Sequence, residues 1–247
     1  MITIQAKLTF PDKEDERVVA DLMRRWSACM RFAYNRFLEG KTRNELKRDL
    51  QGVFHLNSRY VDDAIMKAKS VLESCRERGE NPSKVIFGGR NLFKKLKKRH
   101  INGNEYKKLQ QEWQERRKGN LYSRGDKTKK GNLNTRIEID ENGAALRINV
   151  GERKYVYAKI QAGCKKGKSR EELLKAISTC QEAYSVELKL KNGKTYACFT
   201  IEENIPEVVI TKENGIIGID INAYPDHIAW AESDRNGQLV RYGRIPM

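Results

Sequence analysis

The spacing of apolar residues changes twice along the chain, and this change constrains the fold more than any other feature. Residues 1–10 alternate, and a period of two predicts a β-strand. From 12 to 119 the apolar residues recur at helical spacing, and after 120 the alternation returns in paired runs. The order strand, helices, strands predicts an α+β fold with a helical block inserted after the first strand of a β-structure.

End signals divide the helical block into separate helices. Acidic residues after Asp12 begin the first helix, and the capping box of Thr42 and Glu45 begins the second, which we expect to stop at Gly52. A cap at Asn57 or Ser58 begins the third. The predicted helices span 12–39, 42–52, 57–79, 90–99 and 104–119.

The β-rich part contains two clear hairpin signals. Asn142-Gly143 and Asn192-Gly193 each separate two alternating runs, which is typical of tight hairpins. A further strand covers 154–160, and Ser169 caps a short helix that extends to Ile177. With the first strand, these segments predict a β-barrel composed of 1–10 and 120–205, and the helical insert occupies 11–119.

The last segment, 206–247, predicts three antiparallel strands that begin a separate domain. The first of them, Ile216 to Ile221, is almost entirely apolar and carries Asp220. An ionised carboxylate is costly to bury unless a cation or hydrogen-bond donors meet it, so we expect a divalent metal ligand here. An aspartate capped by backbone N–H groups at a strand end explains the same pattern, and the residues alone do not separate the two interpretations.

Positive charge is concentrated in one part of the chain. The net charge is +16, and residues 90–130 hold 15 Lys and Arg against 4 Asp and Glu. Crowded like charges favour a polyanionic partner, and aromatic side chains among them can stack on bases. The predicted nucleic-acid-binding residues are Lys94, Lys95, Lys97, Lys98, Arg99, Arg116, Arg117, Lys118, Tyr122, Arg124, Lys127, Lys129 and Lys130. For Trp113, at helical spacing from Leu109, we favour a packing role.

Other chemistries have little support in the sequence. Residues 123–132, SRGDKTKKGN, form either a loop that wraps a phosphate through Arg124 or a disordered loop, but lack P-loop spacing. Five scattered cysteines and three isolated histidines support neither a disulfide framework nor a zinc site. No segment is long and apolar enough to span a membrane, and we expect a cytoplasmic protein.

Several segments in order resemble the TnpB (OrfB) family of transposon-encoded RNA-guided DNA nucleases, relatives of type V CRISPR effectors. These segments are RFAYNRFLEG (31–40), LNSRYVDDAIMKAKSVLES (56–74), FGGRNLFKKL (87–96), NLYSRGDKTKKGN (120–132) and GIIGIDIN (215–222). The resemblance implies a wedge-like barrel, a helical recognition insert and an RNase H-like (RuvC-like) nuclease domain. It implies guide RNA and target DNA as partners, and Asp220 as a catalytic Mg²⁺ ligand.

The chain departs from that family after Asp220. Family nucleases carry two further acidic residues and a cysteine-rich zinc module, and this sequence ends before all three. One ligand cannot hold two Mg²⁺ ions for phosphodiester hydrolysis, so we expect this polypeptide alone not to cleave DNA and to be the N-terminal part of a longer nuclease. The alternative is a stand-alone, non-enzymatic DNA- or RNA-binding protein, such as a truncated transposase that acts as a regulator or RNA chaperone.

Overall fold

The computed structural model describes residues 2–97, 103–126, 128, 131–141, 143–161, 183–201, 211, 213–221 and 227–246. Within these residues the chain forms five α-helices, a short 3₁₀ helix and ten strands, so the fold is α+β. It divides into two compact units, Met1–Glu203 and Asn204–Met247. No helix in the described part is long and apolar enough to cross a membrane.

The helices formed by the described residues all lie in the first unit. Asp12 caps the first helix through the backbone N–H of Asp15. Asn57, one of the two caps predicted for the third helix, accepts a hydrogen bond from the backbone N–H of Tyr60. The helices are α1 (Lys13–Leu38), α2 (Arg43–Phe54), α3 (Ser58–Glu77), α4 (Arg90–Leu96) and α5 (Gly103–Lys118), with the 3₁₀ helix at Pro82–Lys84.

The predicted end of the second helix at Gly52 is wrong. Helix α2 continues through Gly52 to Phe54, and the left-handed residue that ends it is His55, with φ of 49°. Arg25 donates a hydrogen bond to the carbonyl oxygen of His55 at 2.6 Å, which fixes this exposed end against α1. A glycine is therefore not needed at the position where the helix stops.

Seven strands form one antiparallel sheet in the first unit. Its order is β2-β6-β7-β1-β5-β4-β3, so the first strand lies at the centre between the two later hairpins. Both hairpins are confirmed, and β2 was not predicted. The strands are β1 (Ile2–Thr9), β2 (Asn120–Ser123), β3 (Thr135–Asp140), β4 (Gly143–Gly151), β5 (Lys154–Gln161), β6 (Tyr184–Lys191) and β7 (Lys194–Ile201). The short helix predicted at 169–177 lies outside the described residues.

The two edges of this sheet are connected through side chains. Asn132 Nδ2 donates to the carbonyl oxygens of Ser123, at the end of β2, and of Tyr184, at the start of β6, at 2.9 and 3.3 Å. The hydroxyl of Tyr184 accepts a hydrogen bond from the backbone N–H of Ile137 in β3 at 2.8 Å. Strands β2 and β3, which are the ends of the sheet order, are therefore joined by a buried hydrogen-bonded bridge.

One core lies between the sheet and the helices. Alternate strand residues such as Ile148, Leu188 and Phe199 have no exposed surface, and so contribute the sheet side of the core. The helical side comes from the apolar stripes of α1 and α3, which include Trp26 and Ile65. The core therefore joins α1 and α3 to the sheet.

The second unit contains a three-stranded antiparallel sheet of order β10-β9-β8. The strands are β8 (Ile216–Asp220), β9 (His227–Ser233) and β10 (Leu239–Pro246), and the predicted turn at 234–237 joins β9 to β10. All three strands confirm the sequence prediction, although β10 extends to Pro246. Every residue of β8 is exposed.

Candidate nucleic-acid interface

Helices α4 and α5 pack through aromatic rings. The ring centroids of Phe93 and Trp113 are 5.7 Å apart, and both residues are half-buried. A side chain at Gly88 would place its Cβ 2.8 Å from Nε1 of Trp113, so glycine allows the backbone to pass close to the indole. Trp113 therefore has a packing role, as favoured from the sequence, and it holds the two basic helices together.

Cations lie over both of these rings. Lys97 Nζ is 4.9 Å from the centroid of the Phe93 ring, and Arg117 Cζ is 5.2 Å from that of Trp113. Each cation is four residues beyond its aromatic partner, so one helical turn places it above the ring face. The aromatic pair thus orders one cation of each helix.

The resulting surface has little negative charge. Lys94 and Lys95 are exposed and have no carboxylate partner among the described residues, whereas Arg116 pairs with Glu112 at 2.6 Å. We call the described cations of the two helices that the sequence predicted to bind nucleic acid the basic α4–α5 surface. Its members are Lys94, Lys95, Lys97, Arg116, Arg117 and Lys118.

The end of α5 is anchored to α1 by a half-buried arginine, Arg31. Arg31 donates a short hydrogen bond to the carbonyl oxygen of Arg117. Burial, together with the nearby positive charge of Arg117, lowers the pKa of Arg31 to about 10. A cation at a helix C-terminus is favourable because it meets unpaired carbonyl groups. The basic α4–α5 surface is therefore fixed to the main core.

The other predicted binding residues lie elsewhere. Tyr122 is in β2, where its hydroxyl donates to Ser185 Oγ at 3.2 Å and Lys67 Nζ lies 5.4 Å from its ring centroid. It does not belong to the basic α4–α5 surface. Five further predicted cations lie outside the described residues, namely Lys98, Arg99, Lys127, Lys129 and Lys130.

Arg124 binds acidic residues of the protein itself. Its guanidinium lies 3.5 Å from Asp62 Oδ2 and 3.9 Å from Asp63 Oδ1, and its backbone N–H donates to Asp63 Oδ2 at 3.1 Å. Asp62 also accepts two hydrogen bonds from Arg43, at 3.0 and 2.6 Å. The first described residues of the predicted phosphate loop are thus attached to α3, which sequence reasoning missed although two adjacent aspartates interrupt the apolar stripe of that helix.

Burial dominates the electrostatics of Asp63. Removal from water raises the pKa of its carboxyl group to about 6, even though the backbone N–H and guanidinium of Arg124 act in the opposite direction. Gly125 follows directly, and a Cβ there would lie 2.5 Å from backbone atoms of Tyr184. The segment after β2 is therefore held both by charge and by close backbone packing.

Glu115 is a second buried carboxylate that sequence reasoning missed. It accepts hydrogen bonds from the backbone N–H groups of Asn192 and Gly193 at 2.7 and 2.9 Å, and from Gln111 Nε2 at 3.0 Å. It thereby fastens the β6–β7 turn to α5. A single glutamate in a basic helix carries no sequence signal for this role.

The expectation that Asp220 is buried is wrong. Its side chain is exposed, so no desolvation cost requires a metal ion in this chain. The strand register places Asp220 in one row with Ala229 and Arg244, whereas Glu232 lies on the opposite face and pairs with Arg241. Among the described residues, no group of three His, Cys, Asp or Glu side chains is arranged to hold a metal ion.

The cysteines that can be described are free thiols. Cys29 and Cys75 are buried and Cys198 is partly buried. Burial raises the pKa of Cys29 to about 12, which keeps its thiol protonated and unreactive. Cys164 and Cys180 lie outside the described residues.

The first unit defines a class of α+β protein with an antiparallel sheet, a helical insert and a basic pair of helices. The family described as the SSO2105 N-terminal domain matches residues 1–215, and the chain belongs to this family. The matched span ends one residue before β8. No curated protein matches the chain.

Proposed function

We propose that the chain binds nucleic acid through the basic α4–α5 surface. The observation that carries the proposal is the convergence of two cationic helices on one aromatic pair, Phe93 and Trp113, with cations ordered over both rings. Ordered cations lose less conformational freedom on binding than mobile ones. Contacts of this kind bind phosphates and confer little base specificity.

We further propose that this activity belongs to the N-terminal part of a TnpB-like RNA-guided DNA endonuclease, with guide RNA and target DNA as partners. The central position of β1 and the bridge through Asn132 and Tyr184 support a barrel-like sheet interrupted by a helical insert. Three antiparallel strands with Asp220 in the first are compatible with the start of an RNase H-like domain. In such effectors base pairing reads the sequence, and the protein contacts backbones.

Catalysis is not part of the proposal for this chain. Two-metal hydrolysis needs several oxygen ligands that converge on both ions. Asp220 is exposed, and Glu232 in the neighbouring strand lies on the opposite face of the sheet. The described residues therefore do not form a Mg²⁺ site, and the role of Asp220 as a metal ligand in a longer nuclease rests on the resemblance of residues 215–222 alone.

The same geometry favours a second candidate, a non-enzymatic DNA- or RNA-binding protein. Such a protein would bind through the basic α4–α5 surface, and Asp220 would have no role in its activity. The two candidates differ in ligand preference, because a guide-RNA partner requires RNA to bind more tightly than DNA of the same sequence through contacts to the 2′-hydroxyl.

The test compares two variants of equal charge change. One replaces Lys94, Lys95 and Lys97 by alanine, and the control replaces Lys41, Lys69 and Lys154, which pair with carboxylates on other surfaces. Fluorescence anisotropy with a labelled single-stranded RNA of mixed sequence measures the dissociation constant. Each lost phosphate contact lowers the salt slope by about 0.7, so the first variant should bind roughly 10- to 100-fold more weakly at about 0.1 M salt.

Two outcomes are decisive. We call the variant with alanine at Lys94, Lys95 and Lys97 the α4 variant. Weaker RNA binding by the α4 variant, with unchanged binding by the control variant, supports the proposal. Equal binding of the two variants overturns it. Parallel titrations with DNA of the same sequence separate the guide-RNA candidate from the general binder.

A further inference from the structure

A separate cleft in the first unit has a chemistry that the proposed function does not use. It is a groove of about 670 Å³ between α1, α5 and the β6–β7 hairpin. A second groove of about 300 Å³ adjoins it, and the two share Lys13, Glu16 and Thr195. We call the combined groove the α1–α5 cleft.

The cleft is strongly cationic. Five lysines line it and have no carboxylate partner among the described residues: Lys7, Lys13, Lys107, Lys118 and Lys194. Two arginines add to them, Arg17 and Arg24, whose ion pairs with Glu14 and Asp21 involve exposed side chains. Such exposed pairs are weak and can be exchanged for a ligand anion at little cost.

The acidic residues of the cleft are outnumbered, because seven cations and three carboxylates line it. Asp12 caps α1 by accepting the backbone N–H of Asp15 at 2.8 Å, and Glu115 is occupied by the backbone of the β6–β7 turn. Only Glu16 among the three lining carboxylates lacks such a backbone contact in the described part of the chain. A cluster of ammonium groups without carboxylate partners attracts a polyanion.

The cleft lining also contains groups that can contact the sugar and the base of a nucleotide. Ala20 and Leu190 provide apolar surface, and Gln110 and Gln114 provide amides that both donate and accept hydrogen bonds. These groups fit a sugar, a base edge or a 2′-hydroxyl. The volume of the larger groove falls within the range of about 300–1,000 Å³ typical of small-ligand sites, so the groove can take in part of one strand.

We propose that the α1–α5 cleft holds a single nucleic-acid strand by its phosphodiester backbone. This inference rests on the proposed function for the class of ligand, but it concerns different residues, with Lys118 alone shared. The clasp of Glu115 on the β6–β7 turn is a positioning device, since it fixes the wall that carries Lys194 and Thr195.

The test uses the whole chain with three lysines of the cleft replaced by alanine: Lys13, Lys107 and Lys194. Its partners are the α4 variant, the Lys41, Lys69 and Lys154 control, and a charge-retaining variant with arginine at the same three cleft positions. The probes are labelled single-stranded RNA, single-stranded DNA and the corresponding duplex. Circular dichroism verifies that every variant is folded.

We expect the cleft variant to bind single strands roughly 10- to 100-fold more weakly at about 0.1 M salt, with a salt slope smaller by about 2, and the arginine variant to retain binding. Lysine acetylation followed by mass spectrometry should show Lys13, Lys107 and Lys194 protected by the single strand. Comparison of the RNA and DNA arms identifies which strand is preferred.

Three results would overturn the inference in distinguishable ways. Normal binding by the cleft variant with weak binding by the α4 variant removes the cleft and leaves the proposed function intact. If the cleft variant binds the duplex more weakly but binds single strands normally, the proposal that the cleft holds a single strand is wrong. Normal binding by both variants overturns the cleft and the basic α4–α5 surface together.

Discussion

The two compact units both contain strands rich in aliphatic residues, but only the first unit buries them. Ile148 in β4 has no exposed surface, whereas Ile219 in β8 is 65% exposed and Tyr242 in β10 is 77% exposed. In the first unit, helices α1 and α3 cover one face of the sheet. The contrast shows that an apolar pattern specifies a strand, whereas burial depends on whether another element faces it.

The largest expected effect comes from a matched pair of isoleucines, one in each unit. Ile148→Ala removes fully buried methyl groups and should lower the free energy of unfolding by about 2–5 kcal/mol. Ile219→Ala removes exposed groups and should change the local stability of its sheet by no more than about 0.5 kcal/mol. Hydrogen exchange followed by mass spectrometry reports local opening in both units. Similar losses of stability at the two positions would contradict the difference in burial between the two units.

A second pair compares how closely the backbone packs in the two sheets. A Cβ at Gly125 would lie 2.5 Å from backbone atoms of Tyr184, so Gly125→Ala should destabilise the first unit by about 1–3 kcal/mol. At Gly218 the nearest atom is 3.9 Å away, and Gly218→Ala should be neutral or slightly stabilising. Exchange rates of peptides that contain β2 and β8 measure the two effects. A tolerated alanine at 125 would mean that the attachment of β2 to β6 is loose.

A third pair compares a buried carboxylate with an ion pair on the exposed sheet. The pKa of Asp63 is raised to about 6 from the ordinary value of 3.8, so the folded state binds this proton more tightly than the unfolded state. The contribution of the protonated Asp63 carboxyl group to stability is complete below about pH 3.8 and is lost as the pH rises through about 6. As this carboxyl group ionises, the wild type should lose roughly 1–3 kcal/mol of its free energy of unfolding. Asp63→Asn should remove this loss, so the variant should be more stable than the wild type at pH 7.

The control for Asp63 is Glu232→Gln in the second unit. Its ion pair with the exposed Arg241 should contribute less than about 1 kcal/mol. Urea unfolding of the wild type and the Asp63→Asn variant between pH 4 and 7.5 provides the comparison. Parallel stability profiles for these two proteins would show that Asp63 does not titrate in this range.

Much of the fold follows from the sequence where a periodic segment has its own end signals. The central strand, α1, α3 and both hairpins are recognisable because apolar spacing agrees with caps and turn residues such as Asn57 and Asn192. Strand β2 escaped prediction because it has only four residues, of which Leu121 and Ser123 are buried. Its pairing with β6 depends on distant parts of the chain.

Part of the candidate nucleic-acid interface could also be predicted from the sequence, and part could not. Clustered lysines are visible in the sequence, but the cations ordered over Phe93 and Trp113 depend on how α4 packs against α5. The carboxylates that bind Arg124 come from α3, more than sixty positions earlier in the chain. The burial predicted for Asp220 failed because an apolar run indicates a strand and carries no information on what covers it.

The most direct test of the central claim is the salt dependence of binding between the unmodified chain and a single-stranded RNA. Because the basic α4–α5 surface carries several cations without carboxylate partners among the described residues, a plot of log Kobs against log salt concentration should have a slope of about −2 to −4. A slope near zero would contradict it, because affinity without counterion release cannot come from the basic α4–α5 surface.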